Sequence, residues 1–126
     1  PVAPHIVNFA GQSFTSDSIK LMSDGSITSF KEGTSFTVEF TGTELKLWVM
    51  GSTHGGTLDV SVDGEEYTSV DLYKNSTNHL LVPVVANLPV GTHEVTFTLQ
   101  ASPAGSDMDI RYLMISGSEF EGIQAK

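Results

Sequence analysis

Polar and apolar residues alternate through most of the stretch from residue 33 to residue 51, and this feature constrains the fold most. Two runs share the pattern, and their apolar members are Phe36, Val38 and Phe40, followed by Leu45, Leu47 and Val49. A period of two is typical of a β-strand with one buried and one exposed face. Residues 41–43 separate the runs, so the sequence predicts an antiparallel hairpin with Trp48 on its exposed face.

Further short segments follow at the spacing typical of an all-β sandwich. We predict strands at 57–62, 67–73, 79–85, 92–100 and 108–115, and one or two less regular strands between residues 9 and 30. Asp63-Gly64 is the strongest turn signal, because glycine supplies the positive φ of a tight hairpin. Pro83 has no N–H to donate, which predicts an edge strand or a bulge. Eight or nine antiparallel strands predict two packed sheets, an all-β sandwich of jelly-roll type.

The composition fits a single domain of 126 residues with a core at about 9–116. Six Lys and Arg against fifteen Asp and Glu give a net charge of −9, which argues against nucleic acid and anionic membranes as partners. No apolar run approaches the roughly 18 residues that span a bilayer. The chain opens on Pro1 without a leader, so we expect a mature or excised part of a larger protein. The absence of cysteine excludes a disulfide framework and thiol catalysis.

Three segments carry a resemblance to a known module. They are the Gly33-Thr34 strand entry, the Val62-Asp63-Gly64 hairpin and the turn that runs from Leu88-Pro89 to His93. Their order resembles the galactose-binding-like jelly-roll module that precedes the SGNH-type catalytic domain of some carbohydrate esterases and that occurs in glycan-binding and phage tail proteins. The resemblance covers about residues 30–116. It implies a noncatalytic accessory module that binds glycans or packs against a neighbouring domain, in a secreted, cell-surface or virion protein.

The sequence offers little support for catalysis. It contains no Gly-x-Ser-x-Gly elbow, and its four histidines lack the spacing of zinc ligands. His93 falls in the turn that the resemblance marks, so we expect it to orient that turn. Asp107 with Asp109, or Asp17 with Asp24, offers oxygen ligands for a structural calcium ion, although neither pair forms a dense calcium loop. We expect no other metal and no cofactor.

Trp48 is the leading candidate for a ligand contact. Aromatic rings stack on the apolar faces of sugars, while neighbouring polar groups bind the hydroxyls. The alternation predicts that Glu39, Glu44 and Lys46 share the face of Trp48. Tyr73, beside the polar loop 74–78, and Arg111, the only arginine, complete the predicted site. Trp48, Tyr73 and Arg111 each have a structural alternative. The Trp48 indole could be buried or lie at a domain interface, and the Tyr73 ring could be a hydrophobic plug of its loop. Arg111 could pair with a nearby acid.

We therefore predict a noncatalytic carbohydrate-binding or accessory module whose partner is a glycan or polysaccharide. One alternative is a structural or oligomerisation module of a phage tail or surface assembly, which would form a homo-oligomer. The other is the N-terminal domain of an SGNH-type esterase, which would act only beside its catalytic domain.

Overall fold

The computed structural model describes the backbone of residues 4–7, 9 and 18–125 and the side chains of residues 6, 7, 9 and 18–116. These residues form nine β-strands and no helix. In chain order the strands are β1 Pro4–Val7, β2 Lys20–Leu21, β3 Ile27–Ser29, β4 Ser35–Gly51, β5 Thr57–Val62, β6 Glu65–Asp71, β7 Asn78–Val85, β8 Thr92–Gln100 and β9 Met108–Ala125. In this part of the chain no helix is long and apolar enough to cross a membrane.

β4 is one continuous strand, so the predicted hairpin is wrong. Its residues 35–41 pair with β8 and its residues 45–51 pair with β7. The buried positions are even-numbered up to Gly42 and odd-numbered from Leu45 onward, because Thr43 and Glu44 are both partly exposed. At this change of parity Gly42 lies opposite Gly117 of β9. The alternation is as predicted, but each half of β4 finds its partner elsewhere in the chain.

Because β4 and β9 both change partners midway, a single hydrogen-bonded sheet folds into two layers. The first sheet has the order β6, β5, β8, the first half of β4 and the second half of β9. The second sheet consists of β7, the second half of β4 and the first half of β9, with β1 and β3 along the far edge of β9 and β2 beyond β3. All strand pairs are antiparallel. The predicted jelly-roll sandwich is confirmed.

The core lies between the two sheets and takes side chains from both. Phe36 stacks on Phe97 with ring centroids 4.9 Å apart, and Phe9 meets Phe36 edge-on at 6.5 Å. Leu47, from the other half of β4, is as fully buried as Phe36. Each such side chain stabilises the fold by about 1.5–3 kcal/mol through removal of apolar area from water. The two halves of β4 therefore face one common core.

Apart from the β4 hairpin, the predicted strands agree with the structure except that β6 begins and ends two residues earlier than predicted and that the strands near the termini differ. β5 and β8 have the predicted bounds, and the hairpin after β5 has positive φ angles at Asp63 and Gly64. Pro83 lies in β7, next to a register shift against β4 and at the edge of the second sheet, as predicted. β1 precedes the predicted core, and β9 runs to Ala125 where an end at residue 115 was expected, because the strand continues past Gly117 along the first half of β4.

Both ends of β4 reach the same end of the sandwich, formed by residues 30–34, 51–56, 73–77 and 101–107, which we call the loop end. Ser102 Oγ donates a hydrogen bond to Gly55 O at 2.8 Å, and Ser106 Oγ donates one to Phe30 O at 2.6 Å. A Cβ on Gly55 would lie 2.1 Å from Leu72 O, so this close backbone approach requires glycine. The loops are thus hydrogen-bonded to each other. We call the opposite end of the sandwich, where β4 turns over at residues 42–44, the bend end.

Candidate functional site

Three aromatic rings stand in a row on the outer face of the second sheet. The Trp48 indole is half-buried and stacks on Tyr112 of β9, with centroids 5.8 Å apart and planes within 5°. On its other side it stacks on His79 of β7 at 5.8 Å and 18°. Leu47 and Val49 are fully buried, which confirms that Trp48 points outward. We call these three residues the aromatic row.

The three rings of the aromatic row form one surface, and Trp48 does not stand on it as a single free ring. Since β7 and β9 flank β4 on opposite sides, His79 and Tyr112 contact opposite faces of the Trp48 indole. The indole therefore meets solvent along its edge. Leu81 lies opposite Trp48 on β7 and is 41% exposed, which extends the apolar strip toward the sheet edge.

Glu44 and Lys46 lie on the predicted face, next to Trp48. Lys46 Nζ is 3.4 Å from Glu44 Oε1, and both side chains are about one-third exposed. Glu39 is not on this face, because it precedes the bend and lies opposite Glu94 in the first sheet. It is nine residues from Trp48, about 30 Å along an extended strand. The prediction that Glu39 shares the face of Trp48 is wrong.

Arg111 is the extra residue of a β-bulge. Trp48 lies opposite Tyr112 and Val49 opposite Ile110, so Arg111 has no partner position in β4. Its guanidinium contacts Asp24 Oδ2 at 2.6 Å through Nη1, and Asp109 Oδ1 at 3.2 Å through Nε. The structure therefore contains the structural alternative expected for Arg111, which is pairing with an acid.

The two carboxylates around Arg111 differ in their surroundings. Hydrogen bonds from Ser26, helped by the Arg111 charge, lower the pKa of Asp24. Burial raises the pKa of Asp109 despite the adjacent guanidinium. The Arg111 charge is thus shared between an exposed and a partly buried carboxylate, and it is not a free anchor for a ligand.

Tyr73 lies away from the aromatic row, at the loop end. Its hydroxyl donates a hydrogen bond to Asn75 Oδ1 at 3.1 Å, and its backbone N–H donates one to Asp71 Oδ1 at 3.0 Å. The 40% exposed ring lines a depression of about 480 Å³ together with Thr57, Asp71, Ser102, Pro103 and Ala104. The structure therefore does not bring Tyr73 to Trp48.

A second depression of about 360 Å³, which we call the loop-end pocket, opens where the second sheet meets the loops. Its lining consists of Thr28, Ser29, Phe30, Met50, Ser52, Thr77, Asp107, Met108 and Asp109. Phe30 is 80% exposed, which is unusual for so large an apolar side chain. Sequence reasoning placed Phe30 at the end of a strand and missed this pocket. It also missed Tyr112 and His79, and for Tyr112 the bulge at Arg111 hid the relevant alternation.

His93 fixes the bend end of the first sheet. Its Nδ1 lies 2.8 Å from Asp63 Oδ2 and its Nε2 lies 2.6 Å from Pro89 O. Asp63 Oδ1 also accepts a hydrogen bond from the backbone N–H of Glu94 at 2.9 Å. The bond to Asp63 raises the pKa of His93 and lowers the pKa of Asp63. His93 orients its turn as predicted, and it joins two of the segments that carry the family resemblance.

The residues predicted to hold calcium have other surroundings in the structure. Asp24 and Asp109 are both engaged with Arg111, whereas Asp107 is exposed at the loop-end pocket. Asp17 lies outside the described residues. Over the ranges that can be searched, no group of three or more His, Asp or Glu side chains is placed to hold a metal ion. The calcium site stays a prediction.

The sandwich is shared with modules of carbohydrate-active proteins. It aligns with a family two carbohydrate esterase from Cellvibrio japonicus at a TM-score of 0.73 and 19% identity, over 97% of this chain and 36% of that one. The CBM36-1 domain of a multidomain xylanase from the hindgut metagenome of Trinervitermes trinervoides aligns at 0.66 and 16%, over 93% and 99%. A family two carbohydrate esterase from Clostridium thermocellum, in complex with cellohexaose, aligns at 0.62 and 15%, over 91% and 34%. Identities this low show the fold alone.

The sequence itself identifies the family. Residues 19–119 match the family described as "Carbohydrate esterase 2 N-terminal", so the chain belongs to that family. It is a noncatalytic accessory module, which confirms the resemblance drawn from the sequence. The chain spans about a third of the two esterases that it aligns with. No curated protein matches the sequence.

Proposed function

We propose that this chain is the glycan-binding accessory module of an extracellular carbohydrate esterase and that the aromatic row, with Glu44 and Lys46, forms its ligand site. The observation that carries the proposal is the stacking of Trp48 between Tyr112 and His79 on an outer sheet face. A sandwich gains its stability from the inner faces, so an ordered set of outward rings fits a contact surface. Ester hydrolysis would belong to a separate catalytic domain.

The chemistry of the face suits a sugar chain. The exposed edges of the stacked rings and Leu81 form an apolar strip that sugar C–H groups can cover, which removes apolar area from water. Lys46 supplies hydrogen-bond donors and Glu44 supplies acceptors for hydroxyl groups on the same face. The guanidinium of Arg111 is paired with Asp24 and Asp109, so we assign it no ligand contact. Glu39 and Tyr73 lie on other surfaces and are left out of this site.

The same face also supports a second candidate function, packing against a neighbouring domain or a second copy. Ile6 is 64% exposed on β1, opposite Met114, and Leu81 is 41% exposed at the other edge. An outer face with this much apolar surface is typical of a protein contact. In that case the chain would bind no sugar and would serve only as a structural module, as in the surface-assembly alternative.

Isothermal titration with cellohexaose, xylohexaose and mannopentaose tests the proposal. We expect Trp48→Ala to weaken binding of the preferred oligosaccharide at least tenfold, about 1.4 kcal/mol. Tyr67→Ala is the matched control, because Tyr67 is 47% exposed on β6, the edge strand of the other sheet, and its removal should leave the affinity unchanged. Equal affinity of the wild type and Trp48→Ala would contradict the site. Absence of any sugar binding, together with a dimer in light scattering, would favour the packing function.

A further inference from the structure

We propose that the loop-end pocket is a subsite for one uncharged sugar unit of the same glycan chain whose other units contact the aromatic row. This inference rests on the proposed glycan binding but concerns different residues. It predicts that the ligand is a linear, neutral oligosaccharide that extends from the bend-side part of the second sheet to the loop end.

The pocket combines an aromatic rim with hydroxyl groups. The Phe30 ring is 80% exposed at its rim, and the backbone under it is held by the hydrogen bond from Ser106 Oγ to Phe30 O. Thr28, Ser52 and Thr77 contribute hydroxyls, each able to donate and to accept. An apolar platform beside hydroxyl and carboxylate groups is the arrangement that a pyranose ring requires, with one apolar face and a polar rim.

The charges of the pocket select against acidic sugars. Asp107 and Asp109 both line it, while its described lining contains no lysine or arginine. Arg111, the nearest cation to Asp109, is bound by two carboxylates and contacts Met50 Sδ through Nη2. Carboxylates accept hydrogen bonds from neutral hydroxyls but repel uronate or phosphate groups. The preferred unit is therefore neutral.

Met50 makes the pocket continuous with the aromatic row. It lines the pocket, lies opposite His79 in the ladder with β7, and is two residues beyond Trp48 on the same face of β4. Two residues correspond to about 7 Å along a strand, and the distance from Lys46 to Ser52 is about 20 Å. A strip of that length accommodates several sugar units in line, so affinity should rise with chain length.

Titration of a cello-oligosaccharide series, from glucose to cellohexaose, tests the subsite. We expect Phe30→Ala to weaken cellohexaose binding about tenfold and to leave the shorter members that reach only the aromatic row unaffected. Because Phe30 is mostly exposed, its removal should not disturb the core. Val90→Ala is the matched control, since Val90 is 88% exposed in the turn before β8 and distant from the pocket. Equal cellohexaose affinity of Phe30→Ala and the wild type would overturn the subsite.

A charge test and the Trp48 variant separate the two proposals. We expect no binding of oligogalacturonate by the wild type; binding of oligogalacturonate tighter than cellohexaose would overturn the neutral-sugar assignment. Loss of cellohexaose affinity in Phe30→Ala with none in Trp48→Ala would retain the pocket and overturn the aromatic row. Loss in Trp48→Ala alone would retain the row and overturn the pocket. If no oligosaccharide binds to the wild type, both proposals are wrong.

Discussion

The first half of β4 presents threonine and glutamate to solvent, whereas the second half presents Trp48 and Met50 beside Lys46. In the first half, hydroxyls pair across the ladder with β8. Thr37 Oγ1 lies 2.9 Å from Thr96 Oγ1, and Thr41 Oγ1 lies 2.8 Å from Thr92 Oγ1. In the second half, stacked rings take the place of these hydroxyl pairs.

This difference distinguishes the residues that the fold requires from the residues that contact with a partner would require. Both halves bury the same kind of inner residue, such as Phe36 and Leu47, and both are paired along their length. Small β-branched residues are sufficient for an outer face that meets only water. The aromatic and apolar residues on the outer face of the second half are therefore best explained by a partner, which both functional proposals supply.

The largest effects are expected on the inner faces, equally in both halves. Phe36→Ala should cost about 3–5 kcal/mol and Leu47→Ala about 2–5 kcal/mol of the free energy of unfolding, since each leaves a cavity in a common core. Urea unfolding monitored by fluorescence and by circular dichroism measures both costs. Trp48→Ala should cost less than either substitution. If it costs as much as Leu47→Ala, the indole is a core residue and the contrast between the two faces does not hold.

A medium effect is expected from the bend end of the first sheet, where His93 is buried against Asp63. The pKa of His93 is raised above its usual 6.5, so its contribution is complete below pH 6.5 and is lost as the pH rises through the folded pKa. The pKa of Asp63 is lowered below its usual 3.8, so its contribution is present above pH 3.8 and is lost as the pH falls through the folded pKa. The pair therefore stabilises most between these two values.

His93→Gln tests this dependence. We expect a loss of about 1 kcal/mol at a pH between 4 and 6, a modest value because Asp63 is half-exposed and solvent screens the pair. Above the folded pKa of His93 the wild type should approach the variant. Thermal unfolding over a pH series measures this, and His79→Gln serves as the control histidine on the second sheet. If the wild type instead gains stability relative to His93→Gln as the pH rises from mildly acidic to alkaline, the stabilising role of the His93–Asp63 pair is contradicted.

The alternation of residues predicted most of the inner face and the outward direction of Trp48, because a period of two is a local property of the strand. It could not predict strand partners. The hairpin between the two halves of β4 was the simplest pairing, but each half pairs with a strand at least 27 residues away in the chain, the nearest pair being Gly51 and Asn78. The change of parity between Phe40 and Leu45 was visible in the sequence, but a turn explains it as well as two successive partly exposed residues, Thr43 and Glu44, within one strand.

The site was less predictable than the fold. Tyr112 and His79 meet Trp48 only through the ladders of β9 and β7 with β4, and the bulge at Arg111 shifts the facing of Tyr112. Phe30 directly follows β3, and its ring is mostly exposed because the loop end places it at the mouth of a pocket. Such positions depend on contacts between segments that are distant in sequence, and no local pattern encodes them.

The smallest expected effect sharpens the contrast between the two outer faces. Glu39 lies directly opposite Glu94, and like charges at such a position oppose strand pairing. Glu39→Thr should therefore raise the free energy of unfolding by about 0.3–0.5 kcal/mol at low salt, since it removes the repulsion and introduces a residue that favours strands. The gain should shrink at high salt, which screens the wild-type repulsion. Lys46→Thr is the matched change on the other half, and it should lower stability slightly because it breaks the ion pair with Glu44. Urea unfolding at two salt concentrations measures the stability of both variants. If Glu39→Thr is destabilising, the outer face of the first half makes further contacts besides its hydroxyl pairs.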